Sequence, residues 1–233
     1  MIIAVINNKG GVGKTTSAVN IAAALLQQGK RVLCVDMDGQ ANLLMHLFEL
    51  RAVNDLEHQQ NGKPLDIVHH HTGLDVLPLS FFETSSAKYI AAITTSAKQY
   101  DVTLIDCPPS LDLRTMAALD AADTILIPTE PEDFAVKGLT KLLKIASEKK
   151  KEVLGIIITR FNPKKAVHKF FAAQLPQYFL QYHINIPVPD SAVFPGAATM
   201  HQTAFEYWGG KKQANPGLEA YTAIAQTIIE RVS

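Results

Sequence analysis

Cysteine is scarce: Cys34 and Cys107 stand far apart in 233 residues, and neither belongs to a C-x-x-C pair. That excludes a disulfide scaffold and a zinc ribbon. No excess of one charge exists either, since Lys plus Arg and Asp plus Glu tie at 22 each. A polycation that coats nucleic acid along its whole length is thereby excluded, though a local patch is not. No apolar run approaches the ~18 residues that span a bilayer. The N-terminus MIIAVINNKGG lacks a basic region and breaks into Asn and Gly, which is not the pattern of a signal peptide. No internal repeat and no low-complexity linker interrupts the chain. With 47% apolar and 19% charged residues there is ample material for a core and little for a disordered tail. The composition predicts a soluble, cytoplasmic chain whose residues 1–233 form a single domain.

Short apolar runs alternate with segments of helical period. Strands are predicted at residues 2–6, 31–35, 74–77, 102–105, 124–127 and 153–159. Helices are predicted at 17–28, ending at Gly29, and at 83–98, 113–119, 135–149, 163–178 and 218–232. Strands rich in Ile, Val and Leu that do not alternate with polar residues fit a parallel sheet covered on both faces. The expected fold is therefore α/β, a doubly wound, mostly parallel sheet with helices on both sides. Residues 51–71 carry the weakest pattern and read as a surface connection. The triplet His69, His70 and His71 within them reads as solvated loop, because three adjacent histidines cannot all face one ion.

KGGVGKTT, residues 9–16, falls between the first strand and the first helix. A loop there presents backbone N–H groups at a helix N-terminus, where the dipole favours anions. Gly10, Gly11 and Gly13 let the main chain wrap a phosphate, Lys14 can reach β- and γ-phosphates, and the Thr15 hydroxyl can ligate Mg²⁺. The strict pattern G-x-x-x-x-G-K-[ST] fails at its first position, which is Asn8, and a second lysine, Lys9, opens the loop. Two strand ends complete the pattern of a nucleotide site. LIDCPPS delivers Asp106, where a magnesium-linked carboxylate belongs, and VDMDGQAN delivers Asp36 and Asp38. Buried carboxylates beside such a loop call for polyphosphate and magnesium as partners. Cys107, with no histidine near it in sequence, reads as a small core residue.

KGGVGKTT, VDMDGQAN, LIDCPPS and IPTEPEDFAVKGL, in this order, resemble the ParA/MinD ATPases with a deviant Walker A motif, and most closely the small partition ATPases. The likeness is strong over about the first 160 residues and loose beyond. It implies a P-loop ATPase fold, and ATP and Mg²⁺ as cofactors. By resemblance Lys9 is the signature lysine that reaches a partner's phosphates across an ATP-sandwiched homodimer. Gly10, Gly11, Val12 and Gly13 form the amide cradle, Lys14 and Thr15 keep the roles above, and Thr16 contacts the α-phosphate. Asp38 becomes the carboxylate that positions the attacking water near the metal, and Asp106 the magnesium-linked residue. Arg160, Pro189 and Asp190 fall on the adenine side. Three positions depart from the family's usual residues: Gly39 for proline, Ala41 for glycine and Ala117 for asparagine. Nothing long precedes the phosphate loop, so no N-terminal helix-turn-helix is expected.

The neutral total hides a segregation. Residues 137–169 hold ten basic side chains against Glu148 and Glu152, while residues 112–133 hold six acidic ones against Arg114. Such a run is by itself a solvated face. The resemblance turns it into an expected non-specific DNA surface, with Lys164, Lys165 and Lys169 preferred over Lys149–Lys151 and with Lys211 and Lys212 in reserve. The expected function is a ParA-type ATPase, nucleoid-associated, that segregates DNA or positions cargo and whose slow hydrolysis a ParB-like or cargo-adaptor protein stimulates. A MinD-like membrane regulator would need a basic amphipathic tail, whereas LEAYTAIAQTIIERVS reads as a packing helix, so no membrane is expected. A metabolic P-loop ligase would not need Lys9, a reductase would need paired cysteines, and an autokinase would need a terminal tyrosine cluster.

Overall fold

The computed structural model describes residues 1–59, 66–132, 135–182, 184, 186–211 and 213–232. The elements run β1 (Ile2–Val5), α1 (Lys14–Gln27), β2 (Val32–Asp36), α2 (Asn42–Leu47), α3 (Leu50–Gln59), β3 (Val68–His69), β4 (Asp75–Pro78), α4 (Ser86–Ala97) and β5 (Val102–Asp106). They continue as α5 (Leu113–Ala121), β6 (Thr124–Thr129), α6 (Ala135–Glu148), β7 (Glu152–Ile158), α7 (Ala166–Phe179), α8 (Val193–Thr199), α9 (Ala204–Trp208) and α10 (Pro216–Val232). Seven strands form one sheet in the order β3-β4-β2-β5-β1-β6-β7. Every pairing is parallel except β3 with β4 at the edge.

The pleat explains the layers, since successive side chains of a strand point to opposite faces. Ile2 and Ala4 of β1 join one core with residues of α4, α5, α6 and α7. Ile3 and Val5 join the other, with α1, α2, α3 and α10. Each fully buried Ile or Leu contributes roughly 1.5–3 kcal/mol. β1 lies between β5 and β6, so the connections from its two sides diverge at its C-terminal end. A crevice opens there, where doubly wound sheets place their ligands. The register puts Val5, Asp106 and Asp36 side by side at that edge.

Among the differences from the sequence reading, two helix starts and one connection have a plain physical reason. α1 starts at Lys14, because the end of the phosphate loop is already its first turn. Gly29, at φ 76°, ends it as expected. α7 starts at Ala166, after a turn in which His168 Nδ1 accepts from the Asn162 N–H at 3.1 Å. Residues 51–71, expected as an irregular connection, contain most of α3 and all of β3; residues 60–65 lie outside those described. α3 buries only Val53, with Leu56 half-buried against the same core, so its apolar stripe is short and its surface otherwise polar. The histidine triplet also divides: His69 is exposed and meets Asp75, whereas His70 is buried. Cys107 is buried as expected, and burial pushes its thiol up. α10 is a packing helix, with Tyr221, Ile224, Ala225 and Ile228 in the core beside α1.

Candidate functional site

The loop between β1 and α1 is held from both sides. Asn7 Nδ2 donates to the Pro128 carbonyl at 2.7 Å, and Asn7 Oδ1 accepts from the Lys9 N–H at 3.0 Å. Thr159, at the end of β7, donates its hydroxyl to the Val12 carbonyl at 2.8 Å. Gly11 and Gly13 take φ of 77° and 83°, conformations that L side chains rarely adopt. The first N–H groups of α1 therefore face the crevice, beside the loop amides.

Lys14 folds across this loop, its Nζ donating to the Lys9 carbonyl at 3.1 Å. Burial lowers its pKa, while Asp106 and Asp38 oppose that shift. Thr15 Oγ1 donates to Asp106 Oδ2 at 2.6 Å, and Asp106 Oδ1 is buried without a hydrogen-bond partner. Asp38 accepts from the Gln40 N–H at 3.1 Å and from Asn42 Nδ2 at 3.2 Å. Thr15, Asp38 and Asp106 thus present hard oxygen donors of the kind Mg²⁺ takes. Asp36 does something else. Its oxygens accept from the Leu44 N–H at 3.0 Å and the Asp38 N–H at 3.2 Å, so it caps α2 and braces the loop before it. The sequence reading that gave both Asp36 and Asp38 to phosphate and metal is corrected for Asp36.

Two adjoining cavities share Gly11, Gly13, Thr16 and Ala198. One, of about 440 Å³, is lined by Gly10, Lys14, Thr15, Asp38 and Asn42 among others. The other, of about 550 Å³, is lined by Arg160, Pro189, Asp190, Phe194 and Tyr221 among others. The structure therefore brings Arg160, Pro189 and Asp190 to the phosphate loop from the far end of the chain. A bridge between Phe161 and Pro189 and a 2.9 Å bond from the Asp190 N–H to the Phe161 carbonyl fix them there. Val12 turns its side chain into the protein. Lys9 is not brought in: its ammonium pairs with Glu132, outside both cavities. Asn7, Asn42, Thr159 and Glu132 were missed as supporting residues, although Asn42 and Glu132 lie inside quoted motifs.

The departures have local accounts. A side chain at Gly39 would meet the Arg114 guanidinium, whose Nη1 donates to the Ser80 carbonyl at 2.9 Å. Ala41 stands at φ 51°, a left-handed conformation that costs about 1 kcal/mol without glycine. Ala117 is buried in the core of α5.

Lys164, Lys165 and Lys169 are all exposed around the start of α7. Lys149 pairs with Asp120 at 2.5 Å, and Lys151 donates to the Asp120 and Ala122 carbonyls at 3.0 and 2.8 Å. These two serve the C-terminal end of α5. Lys211 stacks on Trp208, and Lys212 lies outside the described residues.

One consequence of the buried carboxylates is measurable in the isolated chain. Burial, opposed by Thr15 and Lys14, raises Asp106 to about 7. Between about pH 4 and 7 the folded chain keeps a proton that the unfolded chain gives up, so stability falls as pH rises through that window. Asp106→Asn is expected to stabilise the chain at pH 8 by roughly 1–3 kcal/mol, an increase of several degrees in Tm, and to lose that advantage near pH 5. Scanning calorimetry at both pH values checks it; equal shifts at both would contradict the assignment.

Residues 1–157 match the family model described as an AAA domain. The chromosome-partitioning ATPase Soj of Thermus thermophilus is 32% identical over 99% of this chain and 96% of its own length. The chromosome partitioning protein ParA of Myxococcus xanthus is 29% identical over 99% of this chain and 88% of its own. Among solved structures, the septum site-determining protein MinD of Pyrococcus horikoshii, complexed with Mg-ADP, superimposes with a TM-score of 0.78. It covers 100% of this chain and 97% of its own at 23% identity, which speaks to the fold. With a seven-stranded sheet, a phosphate loop at its switch point and partition ATPases as full-length relatives, the chain belongs to the ParA/MinD family of P-loop ATPases.

Proposed function

We propose that the chain binds Mg-ATP, dimerises on it and hydrolyses it slowly, as a ParA-type ATPase that segregates DNA or positions cargo on the nucleoid. The observation that carries this is the pair of joined cavities. A phosphate loop, an acidic end and a polar-apolar end meet in the order that triphosphate, metal and base require. Lys14 and the loop amides hold the β- and γ-phosphates, Thr16 the α-phosphate, and Arg160, Pro189 and Asp190 flank the base. Magnesium is held through Thr15 and Asp106, whose orphaned Oδ1 fits a metal-bound water, with Asp38 nearby. When bound, the ion neutralises phosphate charge. Asp38 orients the attacking water, and Asn42 and the Gln40 N–H hold that carboxylate in place.

Lys9 is the element that a second chain completes. Its pair with Glu132 leaves the two side chains 49% and 52% exposed, a kind of pairing that holds a lysine only loosely. The far more concentrated charge of a partner's triphosphate draws it away. The wild type is expected to be monomeric without nucleotide or with ADP and dimeric with ATP. Lys9→Ala is expected to bind ATP and stay monomeric. Light scattering coupled to size exclusion tests this, and one dimer under all three conditions would refute it. The burial of the apolar side of α10 supports this reading over a membrane-surface regulator, and no described helix is long and apolar enough to cross a membrane. Non-specific DNA and a ParB-like or cargo-adaptor protein are the partners that this reading requires, in the cytoplasm.

A further inference from the structure

The β3–β4 turn meets α9 outside the two nucleotide cavities, and none of His70, His71 and Glu206 lines either of them. His70 is 5% exposed, yet its Nε2 has no hydrogen-bond partner; main-chain groups of His201 and Leu47 only approach the ring. Glu206 Oε2 is likewise buried and unpartnered. A buried polar atom without a partner has given up its hydration with nothing in return. His71 Nε2 lies 2.5 Å from Glu206 Oε1, and one donor atom from each of His70, His71 and Glu206 lies within 4.8 Å of the other two. Among the described residues this is the one such group of three or more His, Cys, Asp or Glu side chains.

We propose that His70, His71 and Glu206 bind a divalent cation of the zinc class, which satisfies both orphaned atoms at once. Two imidazole nitrogens and a carboxylate oxygen suit Zn²⁺ and its first-row neighbours, whereas Mg²⁺ prefers oxygen alone. Small side-chain rotations bring the three donors to the ~2.0–2.2 Å bonds of a zinc site, and the exposed side of His71 leaves a position for water. The supporting bonds are already in place. His70 Nδ1 lies 2.7 Å from Thr72 Oγ1 and also accepts from the Thr72 N–H at 3.4 Å; metal binding at Nε2 requires the ring proton to move to Nδ1, where the Thr72 hydroxyl oxygen can accept it. The Phe48 ring meets His70 edge-on at 5.4 Å and restricts its rotation. Glu206 starts from a short helix whose cap, Thr203 Oγ1, accepts the Glu206 N–H at 3.2 Å.

The neighbouring histidines are otherwise engaged: His46 Nε2 meets the Gln202 carbonyl at 3.1 Å and His201 Nδ1 the Met45 carbonyl at 3.0 Å. His69 points to Asp75. A bound cation therefore staples the antiparallel edge of the sheet to α9. That helix packs on α8, whose Ala198 walls both nucleotide cavities.

The test is a titration of tag-free, chelator-stripped full chain with ZnCl₂ in the absence of nucleotide, against a chromogenic competitor. One Zn²⁺ per chain is expected, with a higher Tm. His71→Ala and Glu206→Gln should each weaken binding by more than about tenfold and abolish the Tm gain, because removing a ligand costs at least what removing a supporting residue does. His69→Ala should change neither. His71→Ala also loses the contact to Glu206, so each variant's Tm in chelator is its own baseline and only the gain on adding Zn²⁺ is compared, which separates impaired binding from impaired folding. No binding by the wild type overturns the proposal. So does binding that survives His71→Ala, as zinc at the oxygen donors of the phosphate loop would.

Discussion

Lys14→Ala is expected to weaken ATP binding by about 3 kcal/mol or more, a factor above a hundred, in calorimetric titration with magnesium present. The reason is a placement, not a charge count. Lys14 is buried at the N-terminus of α1 with its ammonium turned back over the loop to the Lys9 carbonyl. A triphosphate entering the cavity replaces that neutral acceptor by an anionic one, and the new hydrogen bonds are charge-assisted and shielded from water. Lys14 is also the cation that holds Asp106 down against the burial that raises it. Without it, the buried carboxylates Asp106 and Asp38 meet an incoming polyanion with the magnesium ion alone to offset them. Repulsion then adds to the missing hydrogen bonds. Unchanged affinity in Lys14→Ala would place the phosphates elsewhere and take the proposed nucleotide site with them.

Much of that site was legible because its parts are local. A strand, a glycine-bearing loop and a Lys-Thr pair follow one another without a gap, and the short βα connection turns sequence order into spatial order. Asp36 and Asp106 each close a predicted strand, so both were expected at strand ends beside the loop; that the two strands are neighbours came from the register of the fold. What each carboxylate does there was not legible. Asp36 and Asp38 are two residues apart in one motif, yet one caps α2 through the Leu44 N–H and the other faces the cavity. Nothing in the spacing distinguishes them, because the difference arises from where the chain turns at Ala41. The pairing of Lys9 with Glu132 spans 123 residues and depends on the β6–α6 connection, which no periodicity reports. The helices α2, α3, α8 and α9 were missed for a common reason. They are short or nearly all exposed, so packing fixes them and their own apolar pattern is too brief to read. His70 was read as solvated with its neighbours because its burial comes from Phe48 and α9, which lie elsewhere in the sequence.

Replacing Lys164, Lys165 and Lys169 together by glutamate is expected to abolish DNA binding while leaving ATP binding and ATP-driven dimerisation intact. The wild type should bind duplexes of any sequence, only with ATP, and each lysine–phosphate pairing removed should lower the slope of log K against log salt by about 0.9. Two protomers double a modest patch, which ties the affinity to the dimer. Anisotropy of a labelled duplex between low and physiological salt reads both the affinity and the slope. The choice of these three over Lys149 and Lys151 follows from what the latter hold. Those two bind Asp120 and the closing carbonyls of α5, so reversing them would damage the fold as well as any surface. Lys164, Lys165 and Lys169 stand exposed at the N-terminal end of α7, where the helix dipole disfavours cations. Helix stability alone gives no reason for three lysines there. Glutamates at the same end suit the dipole, by about 0.3–1 kcal/mol each, so the variant should melt no lower than the wild type. Abolished DNA binding with an unchanged or raised Tm would then belong to the surface and not to unfolding, and wild-type affinity at low salt would mark the lysines as solvated and nothing more.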